Sequence, residues 1–105
     1  MKGFIGIRNN SGCRVLVINR AGRKRDLPLR LDWANHSPTG FEWGYAGSGP
    51  AQLALAMLGE VFLKSQAMRL YQKFKFDKIV HLPRDGWTLN EYEILSWYEL
   101  LNAAR

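Results

Sequence analysis

The segment spanning residues 50–62, PAQLALAMLGEVF, holds one charged residue and is otherwise almost entirely apolar. Its large side chains surround the helix that the segment predicts, and alanines fill the positions between them. A helix that is apolar on most sides must be covered on most sides, so the rest of a 105-residue chain has to fold over it. We expect Ser48 or Gly49 to cap this helix, with Pro50 at an early position where its missing N–H is tolerated.

Short apolar segments before this helix predict a small antiparallel sheet. FIGIR at residues 4–8 and CRVLVINR at residues 13–20 are separated by NNSG, which favours the tight turn of a hairpin. LPLRL at residues 27–31 alternates leucine with proline and arginine, which predicts an edge strand. FEWGY at residues 41–45 is the candidate for a short fourth strand.

Two further helices are predicted after the first. One begins at about Ser65 and carries apolar residues at helical spacing. The last is expected to begin at Thr88, because Thr88 and Glu91 have the spacing of a capping box. The predicted fold is therefore α+β: a sheet of three to four strands from the N-terminal half packs on about three C-terminal helices, in a single domain of residues 1–105.

The numbers of cysteines and histidines limit which cellular compartment and which metal sites are expected. Cys13 is the only cysteine, so it has no intramolecular disulfide partner, which favours a reducing cytoplasm. The N-terminus lacks the apolar core of a signal peptide, and glycines interrupt the longest uncharged stretch, so no membrane partner is expected. With two histidines and one cysteine, the chain has no zinc set at standard ligand spacing, and no cofactor is indicated.

Positive charge is concentrated in the first third of the chain. Residues 1–31 carry eight bases and one acid, whereas residues 32–105 carry seven bases and eight acids. We therefore expect a non-enzymatic binding protein whose basic hairpins contact nucleic acid or a nucleoprotein, and an acidic protein surface would serve equally well as a partner. The competing interpretation is a solvated loop that keeps the protein soluble. The candidate contact residues are Arg14, Arg20, Arg23, Lys24, Arg25 and Arg30.

The exposed tip of the second hairpin is expected to hold Arg23, Lys24 and Arg25. Replacing these three with alanine should change stability by no more than about 0.5 kcal/mol if all are free in solvent. The sequence does not determine the oligomeric state.

The glycine loop GYAGSGP at residues 44–50 offers an alternative site. Backbone N–H groups at such a loop before a helix can bind an anion. The loop lacks the Lys and Ser or Thr of a phosphate-binding Walker loop, since Ala51 and Gln52 stand there. No nucleophile elbow supports an enzyme. The small-ligand or enzymatic alternative rests on His36, Glu42, Trp43, Tyr45, Gly47, Ser48 and Gly49.

The stretch HSPTGFEWGYAGSGPAQLALAML, at residues 36–58, resembles the signature block of a family of small uncharacterised bacterial, plasmid and phage proteins. LYQKFK and GWTLNEYEI farther along are similar to the downstream pattern of that family. The resemblance implies an accessory role for a mobile element or its host. One form of that role is a protein inhibitor that binds a host defence complex.

Overall fold

The computed structural model describes residues 1–103. Three strands come first, β1 (Gly3–Asn9), β2 (Gly12–Ile18) and β3 (Lys24–Asp26). Helices α1 (Ser48–Gly59) and α2 (Lys64–Asp77) follow, then a 3-10 turn (Ile79–His81), strand β4 (Gly86–Asn90) and helix α3 (Glu91–Ala103). The strands form one antiparallel sheet in the order β3-β2-β1-β4. The α+β class predicted from the sequence is confirmed.

One face of the sheet packs against the helices. Alternate residues of β1, β2 and β4 point to this face, and five of them lie in the core: Phe4, Val15, Val17, Trp87 and Leu89. The opposite face carries half-buried aliphatic side chains, among them Ile5, Leu16 and Ile18. Because one face is apolar and covered, the register of β1, β2 and β4 is strongly specified.

Helix α1 is the buried centre that its composition predicts. Every residue from 49 to 58 is buried. The N-cap is Gly47 in an extended conformation, and no side chain caps the helix, so the prediction that Ser48 or Gly49 caps it is wrong. The Gly47 carbonyl accepts the first intrahelical bond from Ala51 N–H at 3.0 Å.

The third strand lies earlier in the sequence than predicted. It comprises Lys24–Asp26 and not residues 27–31. Leu27 donates one last backbone hydrogen bond to Val15 at 3.0 Å, after which Pro28 cannot donate and the chain leaves the sheet. The aromatic segment 41–45 is not a strand either, although its Trp43 is fully buried in the core of the domain.

The fourth strand is β4, in a region that the capping-box pattern assigned to a helix. Leu89 pairs with Phe4 and Trp87 pairs with Gly6 of β1. The helix that follows is capped by Asn90, whose Oδ1 accepts from Glu93 N–H at 2.9 Å, and not by Thr88. Within residues 1–103, no helix has both the length and the apolar character needed to cross a membrane.

Candidate functional site

Two exposed cations, Arg23 and Lys24, lie where the turn after β2 meets β3. The Asn19 side chain accepts backbone hydrogen bonds from Ala21 and Arg23, each at 2.9 Å, which orders the turn. Arg23 and Lys24 are exposed, and neither side chain forms an ion pair with any described residue. These two predicted contact residues are therefore available to a partner.

The other four predicted contact residues are paired with the protein's own carboxylates. Arg14 contacts Asp26 at 2.7 Å on the exposed face of the hairpin. Arg20 reaches Glu91 of α3 at 3.4 Å. Arg25 and Arg30 both contact Glu60, at 2.5 and 3.1 Å. The positive charge of the first third of the chain is thus partly used to dock the hairpin on the helices.

Glu60 is the centre of this docking. Lys2 Nζ also contacts its Oε1 at 3.3 Å, so three cations surround one carboxylate. The Glu60 side chain is 3% exposed. Burial alone would raise the pKa of Glu60, but the hydrogen bonds and charges of Arg25 and Lys2 outweigh it and hold that pKa below its ordinary value. Arg25 is therefore not a free tip residue, and we expect replacing Arg23, Lys24 and Arg25 together to cost more than the roughly 0.5 kcal/mol that applies if all three are free.

Trp33 lies beside this cluster. The Arg30 guanidinium is 4.8 Å from the centre of the Trp33 ring, and Lys64 Nζ is 5.8 Å from it. Arg30 has a φ of 61°, which is uncommon for a residue with a side chain. Its carbonyl accepts from Trp33 N–H at 3.0 Å, which helps to hold this backbone.

These contacts define the basic surface, by which we mean Lys2, Arg20, Arg23, Lys24, Arg25 and Arg30. Its six cations are matched by two carboxylates, those of Glu60 and Glu91. Counted over the described residues, this surface therefore has an excess of four positive charges. Arg14 belongs to the same hairpin but is neutralised by Asp26.

The buried side-chain amide of Gln52, on α1, bonds to a loop that comes earlier in the chain. Gln52 is 0% exposed on α1. Its Oε1 accepts from the backbone N–H groups of His36 and Ser37, at 2.7 and 3.0 Å. Its Nε2 donates to the carbonyls of Leu29 and Ala34, at 2.6 and 3.0 Å. One side chain thus holds the loop of residues 29–37 on the central helix.

Several glycine-loop residues have architectural roles. A Cβ on Gly47 would lie 2.5 Å from the Tyr45 ring, and a Cβ on Gly49 would lie 2.7 Å from Glu42 Cβ. Trp43 is fully buried, and its Nε1 donates to the Arg84 carbonyl at 3.1 Å.

The remaining members of the predicted pocket are His36, Tyr45 and Ser48. The His36 ring shares a 2.7 Å hydrogen bond with the Tyr71 hydroxyl. Tyr45 and Ser48 are exposed. Gly47 lies close to Tyr45 and Gly49 close to Glu42, and a ligand pocket formed by all seven predicted residues stays a prediction.

A polar cleft lies next to that loop. Its volume is about 300 Å³, and it is lined by Ser11, Gly12, Cys13, Ser37, Thr39, Gly40, Phe41 and Glu42. Glu42 is the one predicted pocket residue in this lining. A groove of about 210 Å³ along β1, β2 and β4 is more apolar and includes Ile5, Ile18 and Thr88.

Glu42 is held by two residues that the sequence did not indicate. Arg8 donates to both of its carboxylate oxygens, at 3.1 and 2.6 Å, and Cys13 Sγ donates to Oε2 at 3.2 Å. The hydrogen bonds from Arg8 in particular lower the pKa of Glu42 to about 2. Burial raises the pKa of the Cys13 thiol, and its hydrogen bond to Glu42 adds to that. The thiol is therefore a hydrogen-bond donor and not an activated nucleophile.

The contact between Arg8 and Glu42 makes stability depend on pH. The Glu42 pKa falls from its ordinary 4.5 to about 2 on folding, so the stabilisation is complete above pH 4.5 and is lost as the pH falls toward 2. Because the Glu42 side chain is 32% exposed, we expect only about 1 kcal/mol to be lost between pH 6 and pH 3.

Urea unfolding at both pH values measures this loss. The fall in the free energy of unfolding should be about 1 kcal/mol smaller for Glu42→Gln than for the unaltered protein. Equal falls in the two proteins would show that Glu42 does not contribute.

Comparison with known proteins identifies the family of this chain but no activity. Neither the curated proteins nor the solved structures compared with the chain contain a match. A family model covers residues 4–100, and the chain therefore belongs to the family of unknown function DUF6166.

Proposed function

We propose that this protein is a non-enzymatic, cytoplasmic protein that binds nucleic acid through its basic surface. The observation that supports this most directly is the imbalance of charge, with six cations in the basic surface and two carboxylates that pair with them. Excess cations of this kind attract the phosphate backbone by releasing its counterions. The lone, hydrogen-bonded Cys13 is compatible with a reducing cytoplasm.

The expected contacts are with phosphates rather than bases. Arg23 lies at the end of the turn between β2 and β3, and Lys24 is the first residue of β3. Neither residue has an aromatic residue or a recognition helix next to it in sequence. Arg20 is 76% exposed despite its contact with Glu91, so its guanidinium keeps most of its donors in solvent. Such an arrangement favours binding with little sequence preference and a strong dependence on salt.

A salt titration of DNA and RNA binding tests the proposal. With three or four phosphates neutralised, the logarithm of the association constant should fall with the logarithm of salt at a slope of about −3. Arg23→Gln combined with Lys24→Gln should make that slope shallower by about 2 and weaken binding about 20-fold at low salt. Fluorescence anisotropy of a labelled oligonucleotide measures both quantities.

The matched control removes the same charge from a different element. Arg69→Gln combined with Lys73→Gln alters two exposed residues of α2, which makes no ion pair with the hairpin among the described residues. We expect this variant to lose less than about 3-fold in affinity. Equal losses in the two double variants would reject a specific role for the hairpin. Absence of binding at low salt would reject the proposal and favour an acidic protein partner, such as a defence complex.

A further inference from the structure

The geometry points to a subsite for a phosphate dianion at Lys2, Arg25 and Arg30. This inference rests on the proposed function and deepens it, because it names the group on a nucleic acid that the basic surface would bind most tightly. The expected ligand is the phosphomonoester at the end of a strand, and the same chemistry is present in free phosphate. Glu60, which these cations share, is the floor of the subsite.

The charge of the cluster matches a dianion. Three cations share one carboxylate, so two positive charges remain. A phosphomonoester carries roughly −1.5 to −2 at pH 7, whereas each phosphodiester in the backbone carries −1. A terminal phosphate therefore neutralises the cluster with one group, and a backbone phosphate does not.

The distances allow one anion to contact two of the cations. Lys2 Nζ and Arg25 Nη2 bond the same oxygen of Glu60, so they lie no more than 5.8 Å apart, the sum of their 3.3 and 2.5 Å contacts. Because Glu60 Oε1 already lies between these two nitrogens, a phosphate on the exposed side would accept from their remaining N–H groups.

The cations are accessible although the carboxylate is not. The side chains of Lys2, Arg25 and Arg30 are 23%, 51% and 29% exposed, whereas Glu60 is 3% exposed. A solute therefore meets the outer side of the cations while Glu60 holds them from beneath. Each guanidinium has five N–H donors, and Glu60 accepts one from Arg25 and one from Arg30.

Arg30 shows two further signs that the cluster is incomplete. Its Nε is buried and has no acceptor among residues 1–103. Its backbone also has the positive φ described above, a conformation that tends to occur at ligand sites. An anion that pulls the guanidinium outward would give this N–H an acceptor.

The test compares one oligonucleotide with and without a 5′-phosphate. We expect the unaltered protein to bind the phosphorylated strand about 10-fold more tightly, and we expect Arg25→Gln to reduce this preference to less than about 2-fold. Arg23→Gln combined with Lys24→Gln is the control, because it should weaken both strands equally and keep the preference. Equal affinity of the unaltered protein for the two strands would overturn the subsite and leave the proposed function intact.

A second measurement separates the two sources of phosphate and does not depend on nucleic-acid binding. Inorganic phosphate should raise the melting temperature of the unaltered protein more than that of Arg25→Gln at matched ionic strength, since general salt effects act on both. If no oligonucleotide binds but this difference is found, the proposed function fails and the subsite stands for free phosphate. The inference is wrong if the unaltered protein does not prefer the 5′-phosphorylated strand and inorganic phosphate stabilises it no more than Arg25→Gln. This holds even if Arg25→Gln is less stable.

Discussion

Gln52→Leu is expected to lower the free energy of unfolding by about 4 kcal/mol. Leucine has a similar size and suits a buried position, so the change removes hydrogen bonds without opening a large cavity. It leaves the N–H groups of His36 and Ser37 and the carbonyls of Leu29 and Ala34 without their partner. Unsatisfied buried groups cost roughly 1–3 kcal/mol each, and part of that cost is recovered as the loop moves into water.

The same substitution at Gln72 provides the control. Gln72 is exposed on α2, so Gln72→Leu should change stability by less than about 0.5 kcal/mol. Urea unfolding followed by circular dichroism measures both variants. A Gln52→Leu protein within about 1 kcal/mol of the unaltered protein would show that the loop does not depend on this amide.

Gly6→Ala is expected to destabilise the protein by about 3 kcal/mol. Gly6 lies opposite Trp87 in the pairing of β1 with β4. A Cβ on Gly6 would lie 2.2 Å from Trp87 Cε2, within the indole ring. The ring is rigid and packs edge-to-face on Trp43 at a centroid distance of 5.5 Å, so it cannot move aside without disturbing the core.

Gly3→Ala is the matched control in the same strand. A Cβ there meets only the Leu89 carbonyl oxygen, at 3.9 Å, which is an ordinary contact. Thermal unfolding should therefore show a loss of about 12 °C for Gly6→Ala and little change for Gly3→Ala. Equal melting temperatures for the two variants would mean that Trp87 has room to rearrange.

The elements that depend on local pattern were predictable from sequence. The first hairpin follows from two apolar segments on either side of the turn residues NNSG, and α1 follows from its apolar composition. Strand β4 was missed because its residue Thr88 and the following Glu91, the first residue of α3, have the spacing of a capping box. Its strand character depends on pairing with β1, more than eighty residues earlier.

The candidate site, too, was predictable only where it depends on residues that are close together in the sequence. The excess of bases was visible in the sequence, and Arg23 and Lys24 are exposed as their place in a turn suggested. The partners of the others were not visible, because Glu60 lies 30 residues from Arg30 and 58 from Lys2. Charge counting along a chain identifies a basic surface but does not show which cations the folded protein neutralises.

The placement of β1 between β2 and β4 has a consequence for biosynthesis. Its contacts with β2 can form when the first twenty residues are available, whereas its other edge pairs with residues 86–90. During translation, the backbone groups on that edge stay without their strand partner until β4 has emerged from the ribosome. Nascent chains that stop before β4 therefore expose an open strand edge, which is the kind of surface that promotes aggregation and recruits chaperones.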